Sequence, residues 1–415
     1  MLKPIGFFLL LVSVIPAHAQ QDVTLKESLR LARKRNPDLK VLLEDVRSAR
    51  ADRVTAQIRP NPNVNLQLLH IANPNYRREG TGWANDANTQ YWYQITKPFQ
   101  VAGQRQNKIA FADRMIEQSR LDYNEASRMI YLDVASQWVD VWAARVNLNI
   151  LTRGKRNIDS LVQINTYRLK DKVITETDLV RTQLLQQQYQ RDIVTAEQIL
   201  INERENLRYL IGSTDSISIA LDDQSFFGIN TIGDSLIEEG VHHRSDVLSA
   251  KNTIDASKTN INLQKSLSYP QPELGAVFNP QNRIPYVGFY GIVEIPIFNR
   301  NQGQREKADV QKYKAEQNLL ATQRQAESEV NIAYRTYTTQ RKNLADYQGN
   351  LNNAEIILRN VRYSYVRGAT SVIDYLEAQR SWLDTQQRYY STMEDFRRSY
   401  VNLLFATGII NQLAE

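Results

Sequence analysis

Leu169-Lys-Asp-Lys-Val-Ile-Thr-Glu-Thr-Asp-Leu-Val-Arg-Thr-Gln183 is answered later in the chain by Tyr365-Val-Arg-Gly-Ala-Thr-Ser-Val-Ile-Asp-Tyr-Leu-Glu-Ala-Gln379. Asp178 falls on Asp374 and Gln183 on Gln379, both at an offset of 196 (374 − 178 and 379 − 183). Leu207 and Leu403 keep that offset, as do Gly212 and Gly408, so no gap opens over roughly 40 residues. Further out, Gly103-Gln-Arg105 matches Gly303-Gln-Arg305, and Pro60-Asn-Pro62 matches Pro270-Gln-Pro272. A long-period duplication implies one body built from two halves.

Around the repeat the pattern is helical. None of the 12 prolines lies between Pro98 and Pro270 or after Pro296, and these are the regions with the longest helical periodicity. The mature chain opens with the capping-box pattern Thr24-Leu-Lys-Glu27, and helical spacing runs to about Ile58, with Asn36-Pro37 interrupting the first turns. Asn63-Val-Asn-Leu-Gln-Leu68 then alternates strictly, which is a strand period, and Thr89–Thr96 supplies a second strand closed by Pro98. A helix is expected from about Gly103 to Tyr167, with Gly154 as a bend, and another from Thr177 to Ile211. The second half repeats the order: a helix at 235–267, strands at Glu273–Asn279 and Tyr286–Phe298, a long helix from Gln304 to Arg367 and a last helix from Val372 to Thr407.

This gives a first repeat over 20–212, with its β-hairpin at 62–98 and a tip turn at 169–176. A turn-rich segment at 213–234, with a short strand at Ile217–Leu221, connects it to a second repeat over 235–408. That repeat has its hairpin at 272–298 and its tip turn at 368–371, and 409–415 forms a short tail. The long helices, at about 1.5 Å per residue, reach roughly 100 Å, about twice the shorter ones. Strands are therefore expected at one end of a rod and helix turns at the other.

Lys3 precedes an apolar run from Ile5 to Ile15, and Pro16-Ala-His-Ala19 places small residues before a cleavage point, so residues 1–19 read as a secretory signal peptide. Cysteine is absent, which rules out disulfides, thiolate metal sites and cysteine nucleophiles, and leaves no thiol for an N-terminal lipid anchor. The net charge of +6 is spread over long helices and reads as solvated faces, with no nucleic-acid site. His242 and His243 are adjacent in a helical pattern and cannot share a face as metal ligands would. No phosphate-cradling loop or nucleophile elbow occurs, so no enzyme, cofactor or metal site is expected.

No later segment offers a helical membrane span, so entry into a membrane requires a β-barrel. Two strands per half cannot close one, and single-chain outer-membrane barrels have at least eight strands, so several copies must share it. Three copies would supply twelve strands. Tyr91, Trp92, Tyr93, Tyr286, Phe289 and Tyr290 are candidates for interfacial girdles. The fold class is thus mainly α, with duplicated long helical hairpins and four transmembrane strands per chain, the barrel closed by trimerisation. The alternative is a soluble periplasmic or secreted coiled-coil protein whose hairpins cap a bundle.

Asn36-Pro-Asp-Leu39, Lys97-Pro-Phe-Gln-Val-Ala-Gly-Gln-Arg105 and the paired stretches at 169–183 and 365–379 resemble the TolC family of trimeric outer-membrane efflux ducts. The GlyGlnArg start of each long helix is similar to heavy-metal-efflux members, the branch served by RND pumps. The resemblance implies a homotrimer whose barrel sits among outer-membrane lipid of a Gram-negative bacterium, with its helical part in the periplasm. It also implies a periplasmic adaptor protein as partner, and beyond it an RND- or ABC-type inner-membrane pump. The adaptor would dock on the turns Lys172, Val173, Ile174, Thr175 and Gly368, Ala369, Thr370, Ser371. Lys172 stands where the family has glycine, and a left-handed position there strains a lysine, which puts the first docking contact in question.

Tyr365 and Asp178 match a pair that holds the family's tip closed, and Thr370 replaces a gating arginine, so that second link is expected to be weak or absent. Asp374 and Glu377 match acids at the tunnel's narrowest point. They are three apart and share a helix face, so threefold repetition would stack two carboxylate rings. Spacing alone favours two solvated acids beside a turn, with Asp374 capping the last helix; the resemblance reverses that for Asp374 and leaves Glu377 balanced between the two readings.

Overall fold

The computed structural model describes residues 21–219, 241–281 and 284–414. The expected signal peptide, most of the connecting segment and the first residues of the helix placed at 235–267 lie outside the described residues. The elements, in order, are β1 (Gln21–Asp22), α1 (Leu25–Arg35), α2 (Pro37–Gln57), β2 (Asn63–His70), β3 (Thr89–Pro98), α3 (Gln104–Lys170), α4 (Glu176–Leu210) and β4 (Ile217–Ser218). They continue with α5 (Ser245–Ser266), β5 (Glu273–Gln281), β6 (Ile284–Ile292), α6 (Gln302–Val366), α7 (Val372–Ala406) and α8 (Ile410–Leu413).

The chain divides into two compact units. One takes the described residues within 1–37, 127–234 and 330–415, the other those within 38–126 and 235–329. Helices α3 and α6 contribute to both.

In the first unit, Thr24 caps α1 by accepting the Glu27 amide at 3.2 Å. The helix expected through Ile58 breaks at Asn36, because a residue before proline is driven out of the helical region. Asn36 is buried and donates its amide to the Leu210 carbonyl at 2.8 Å, closing the end of α4. The short strand expected at Ile217–Leu221 has two residues in the structure, Ile217 and Ser218, paired in parallel with Gln21 and Asp22. Trp138, fully buried, donates its indole N–H to the Val23 carbonyl at 3.0 Å.

α3 runs unbroken through Gly154. A Cβ there would lie 2.5 Å from the Tyr189 ring, so the glycine is explained by close approach of α4.

The second unit holds a four-stranded antiparallel sheet in the order β2-β3-β5-β6. Strand β6 ends at Ile292, so 293–298 is not strand as expected. The register assembles one apolar face: Leu66 pairs with Tyr93, Tyr93 with Phe278 and Phe278 with Val287, while Val64, Ile95, Ala276 and Phe289 form the next row. Many of these side chains are exposed, Val287 at 80% and Phe289 fully. The opposite face is mixed: Asn65, Gln67, Gln94, Thr96 and Asn279 lie on it with Leu69, Trp92 and Val277, and β6 adds Ile284, Tyr286, Tyr290 and Ile292. Strands β2 and β6 each pair on one side only, so both sheet edges are open among the described residues.

The Gly103-Gln-Arg105 motif has a structural task in this unit. Gln104, fully buried, donates to the Ser266 and Tyr269 carbonyls at 3.1 and 2.9 Å, and Arg105 donates to the Gln57 carbonyl at 2.8 Å. It therefore closes the ends of α5 and α2. Among the described residues no helix is long and apolar enough to cross a membrane.

Candidate functional site

The two repeated turns are one backbone device made from different residues. At the end of α3 the Lys172 amide donates to the Leu169 carbonyl at 3.0 Å and the Val173 amide to Arg168 at 2.8 Å. At the end of α6 the Gly368 amide donates to Tyr365 and the Ala369 amide to Ser364, both at 3.0 Å. This Schellman pattern needs a left-handed residue at its centre. Gly368 takes it at φ 79° and Lys172 at φ 56°. Lysine gains nothing from the conformation and bears its steric cost. Lys172→Gly is expected to raise the stability of the chain by about 1 kcal/mol, read from denaturant unfolding.

Each turn then starts the next helix with a capping box: Thr175 with Asp178, and Ser371 with Asp374. Between cap and Schellman residue lie Val173-Ile174 and Ala369-Thr370, with Val173 62% exposed.

Asp374 carries more than its counterpart. Its Oδ2 accepts from Thr370 Oγ1 at 2.6 Å, from Ser371 Oγ at 2.7 Å and from the Ser371 amide at 3.0 Å. The Thr370 hydroxyl, then the Ser371 hydroxyl and amide, hold this carboxyl below its ordinary value. Its Oδ1 stays outside these bonds. Asp178 is bonded by Thr175 alone, at 2.8 and 3.3 Å. Glu377 is exposed, and its near neighbour is Arg380 at 3.8 Å.

Because the folded value of Asp374 is the lower one, its contribution is complete above the ordinary aspartate range and is lost as pH falls through the depressed value. Loosening of the second turn is therefore expected on acidification below about pH 4, seen as faster amide exchange at Ser371.

Tyr365 and Asp178 are not joined within the chain. Tyr365 is 1% exposed, and its hydroxyl donates to Asn165 Oδ1 at 2.5 Å. Asn165, itself fully buried, donates to Thr182 at 3.4 Å. The Arg168 guanidinium lies over the Tyr365 ring, 4.5 Å from its centroid, and donates to the Tyr365 carbonyl at 2.8 Å. Arg168 thus ties the end of α3 to the end of α6. Tyr365 also packs on Tyr375 at 5.7 Å between centroids, within a core that includes Ile158, Leu161, Tyr189 and Val372.

Asn165, Arg168 and Tyr375 are missed by repeat matching because the two copies differ there. The available signal was a polar Asn165 in the apolar stripe and an arginine in the last turn of α3. Among the described residues no group of three or more His, Cys, Asp or Glu could hold a metal.

A four-stranded sheet with an apolar exposed face and two open edges, in a chain whose long helices meet in capped turns, fits a subunit of a helical outer-membrane channel. The chain belongs to the outer membrane efflux protein family, whose model matches residues 28–213 and 236–409. It is similar to the outer membrane protein TolC of Vibrio cholerae serotype O1, 22% identical over 72% of each chain. It is also similar to the cobalt-zinc-cadmium resistance protein CzcC of Cupriavidus metallidurans, 20% identical over 92% of this chain and 89% of that one. A crystal structure of CusC superposes with a TM-score of 0.76 at 18% identity, covering 94% of this chain and 95% of the other. The Campylobacter jejuni CmeC outer membrane channel gives 0.75 at 16% identity, over 98% and 93%. The protein is an outer-membrane efflux duct, of a family of channels rather than enzymes.

Proposed function

We propose that three copies of this chain form one twelve-stranded barrel. The resulting duct is passive and takes cargo from an inner-membrane pump through a periplasmic adaptor. The observation that carries this reading is the sheet: one apolar exposed face fit for lipid, an opposite face on which the polar side chains of β2, β3 and β5 gather, and two unpaired edges. Open edges are not tolerated in hydrocarbon, and pairing β6 of one copy with β2 of the next removes them. A heat-sensitive oligomer fractionating with outer membrane, with conductance in planar bilayers, is expected. A monomer recovered from the soluble periplasmic fraction would sink the proposal.

The adaptor docks on Lys172-Val-Ile-Thr175 and Gly368-Ala-Thr-Ser371, whose rigid Schellman-plus-cap backbone presents the same outline twice. Asp374 and Glu377 supply the constriction. The cap on Asp374 keeps its charge rather than removing it, since hydrogen bonds to the ionised form favour that form. Repeated threefold, these charges draw cations, in line with one relative named for cation efflux and another for cobalt-zinc-cadmium resistance. Asp374→Asn should lower cation preference and block by multivalent cations in single-channel recordings. Unchanged selectivity would remove Asp374 from the constriction.

A further inference from the structure

Four arginines of the first unit converge on one groove. Arg153 and Arg156 come from α3, Arg359 and Arg362 from α6, and the groove between them encloses about 420 Å³. Glu355 is the one acid in its lining, and it is already committed: Arg153 reaches it at 3.1 Å and the Trp382 indole N–H at 2.9 Å. Arg156, Arg359 and Arg362 have no carboxylate partner among the described residues. Like charges spaced three apart on a helix destabilise it, and here two such pairs face one another across a groove.

Tyr375 adds a second observation. It is 98% buried, being 2% exposed, and lines the same groove. No protein group among the described residues bonds its hydroxyl, which reaches the open groove and is free to donate to a ligand there.

We infer that this groove is a binding site for a small multivalent oxyanion of the phosphate or pyrophosphate class, held by Arg156, Arg359 and Arg362 with the Tyr375 hydroxyl as a further donor. Size and charge pattern favour a compact ligand over an acidic helix. Each arginine pair spans three residues, about 4.5 Å of helix axis. Beyond them the same faces carry Asn149, Ser160 and Gln163 on α3 and Asn352 and Val366 on α6, so the charge stops after one turn. Guanidinium groups suit such an anion because their fixed fork donates two bonds at once. Bound there, the anion would cross-link α3 to α6 beside the Tyr365–Tyr375 ring pair and stiffen both turns. The site lies within one chain, so it stands or falls separately from the trimeric duct.

The test is thermal unfolding of the purified full-length protein in detergent, titrated with pyrophosphate against sodium chloride of equal ionic strength. A saturable rise in Tm is expected with pyrophosphate only. Arg359→Gln/Arg362→Gln should weaken the apparent affinity by roughly a hundredfold or more, since each charge-assisted bond is worth about a factor of ten. Tyr375→Phe, which keeps the ring, should weaken it several-fold, and Arg341→Gln, an exposed arginine elsewhere on α6, should leave it unchanged. Without the anion, the double variant should melt at or above the parent temperature, because repulsion has been relieved. Four outcomes would overturn the site: equal shifts with chloride, a shift retained by the double variant, a lower basal Tm in that variant, or an arginine-dependent shift produced by an acidic helical peptide and not by pyrophosphate.

Discussion

Phe278→Arg is expected to abolish the membrane-inserted oligomer, while Gln94→Arg, on a neighbouring strand of the same sheet, leaves it able to assemble. The two positions lie at neighbouring levels of adjacent strands but on opposite faces of the sheet. Phe278 sits in the row Leu66–Tyr93–Phe278–Val287, packed on Tyr93 at 6.1 Å between ring centroids, with its face otherwise open. That row crosses the middle of each strand, so an arginine there meets the centre of the hydrocarbon. In barrels such a charge costs about 2–4 kcal/mol at the midplane. A threefold assembly carries that cost in every copy, which exceeds what a marginal oligomer tolerates. Gln94 pairs with Asn65 and Val277 on the opposite face, beside the polar Gln67 and Thr96 of β2 and β3, where a charge would meet lumen water. Fractionation, with heat-modifiable mobility on gels, reads the difference. If Gln94→Arg blocks assembly and Phe278→Arg does not, the two faces have been assigned the wrong way round.

The element order was legible because its signals are local and strong. Strict alternation in Asn63–Leu68 marked a strand, and the scarcity of proline marked the long helices. The 196-residue offset placed Lys172 opposite Gly368 before any backbone angle was known, and both prove left-handed. What the sequence hid were features set by contacts between distant segments. Gly154 looked like a bend in one helix, yet it is explained by a tyrosine from the next. Gly103-Gln-Arg105 looked like a family mark, yet its side chains close the ends of two helices. Asp374 could be read as a capping residue or as part of a gate. The structure places its carboxylate on the cap and leaves one oxygen outside it, so the two readings do not exclude each other. The arginine groove escaped because its members come from helices 200 residues apart and no short motif contains them.

Tyr365 separates an internal staple from a lock between turns. Tyr365→Phe removes one hydroxyl and leaves Asn165 Oδ1 buried without that donor, a loss of about 1–3 kcal/mol. Tyr365→Ala also removes a ring that is 1% exposed and packs on Tyr375 and under Arg168, so about 3–5 kcal/mol is expected. The partner is then identified by double-mutant cycles on the Phe variant. If the hydroxyl acts through Asn165, combining Tyr365→Phe with Asn165→Leu should cost clearly less than the sum of the single changes, because both sides of one bond are gone. The cycle with Asp178→Asn should be additive in stability, since Asp178 spends its carboxylate on Thr175. Coupling to Asp178 that appears in the assembled oligomer and vanishes in the dissociated chain would instead place the bond between copies. In that case the Asn165 contact would be the resting arrangement of a single chain, exchanged for a neighbour's aspartate on assembly.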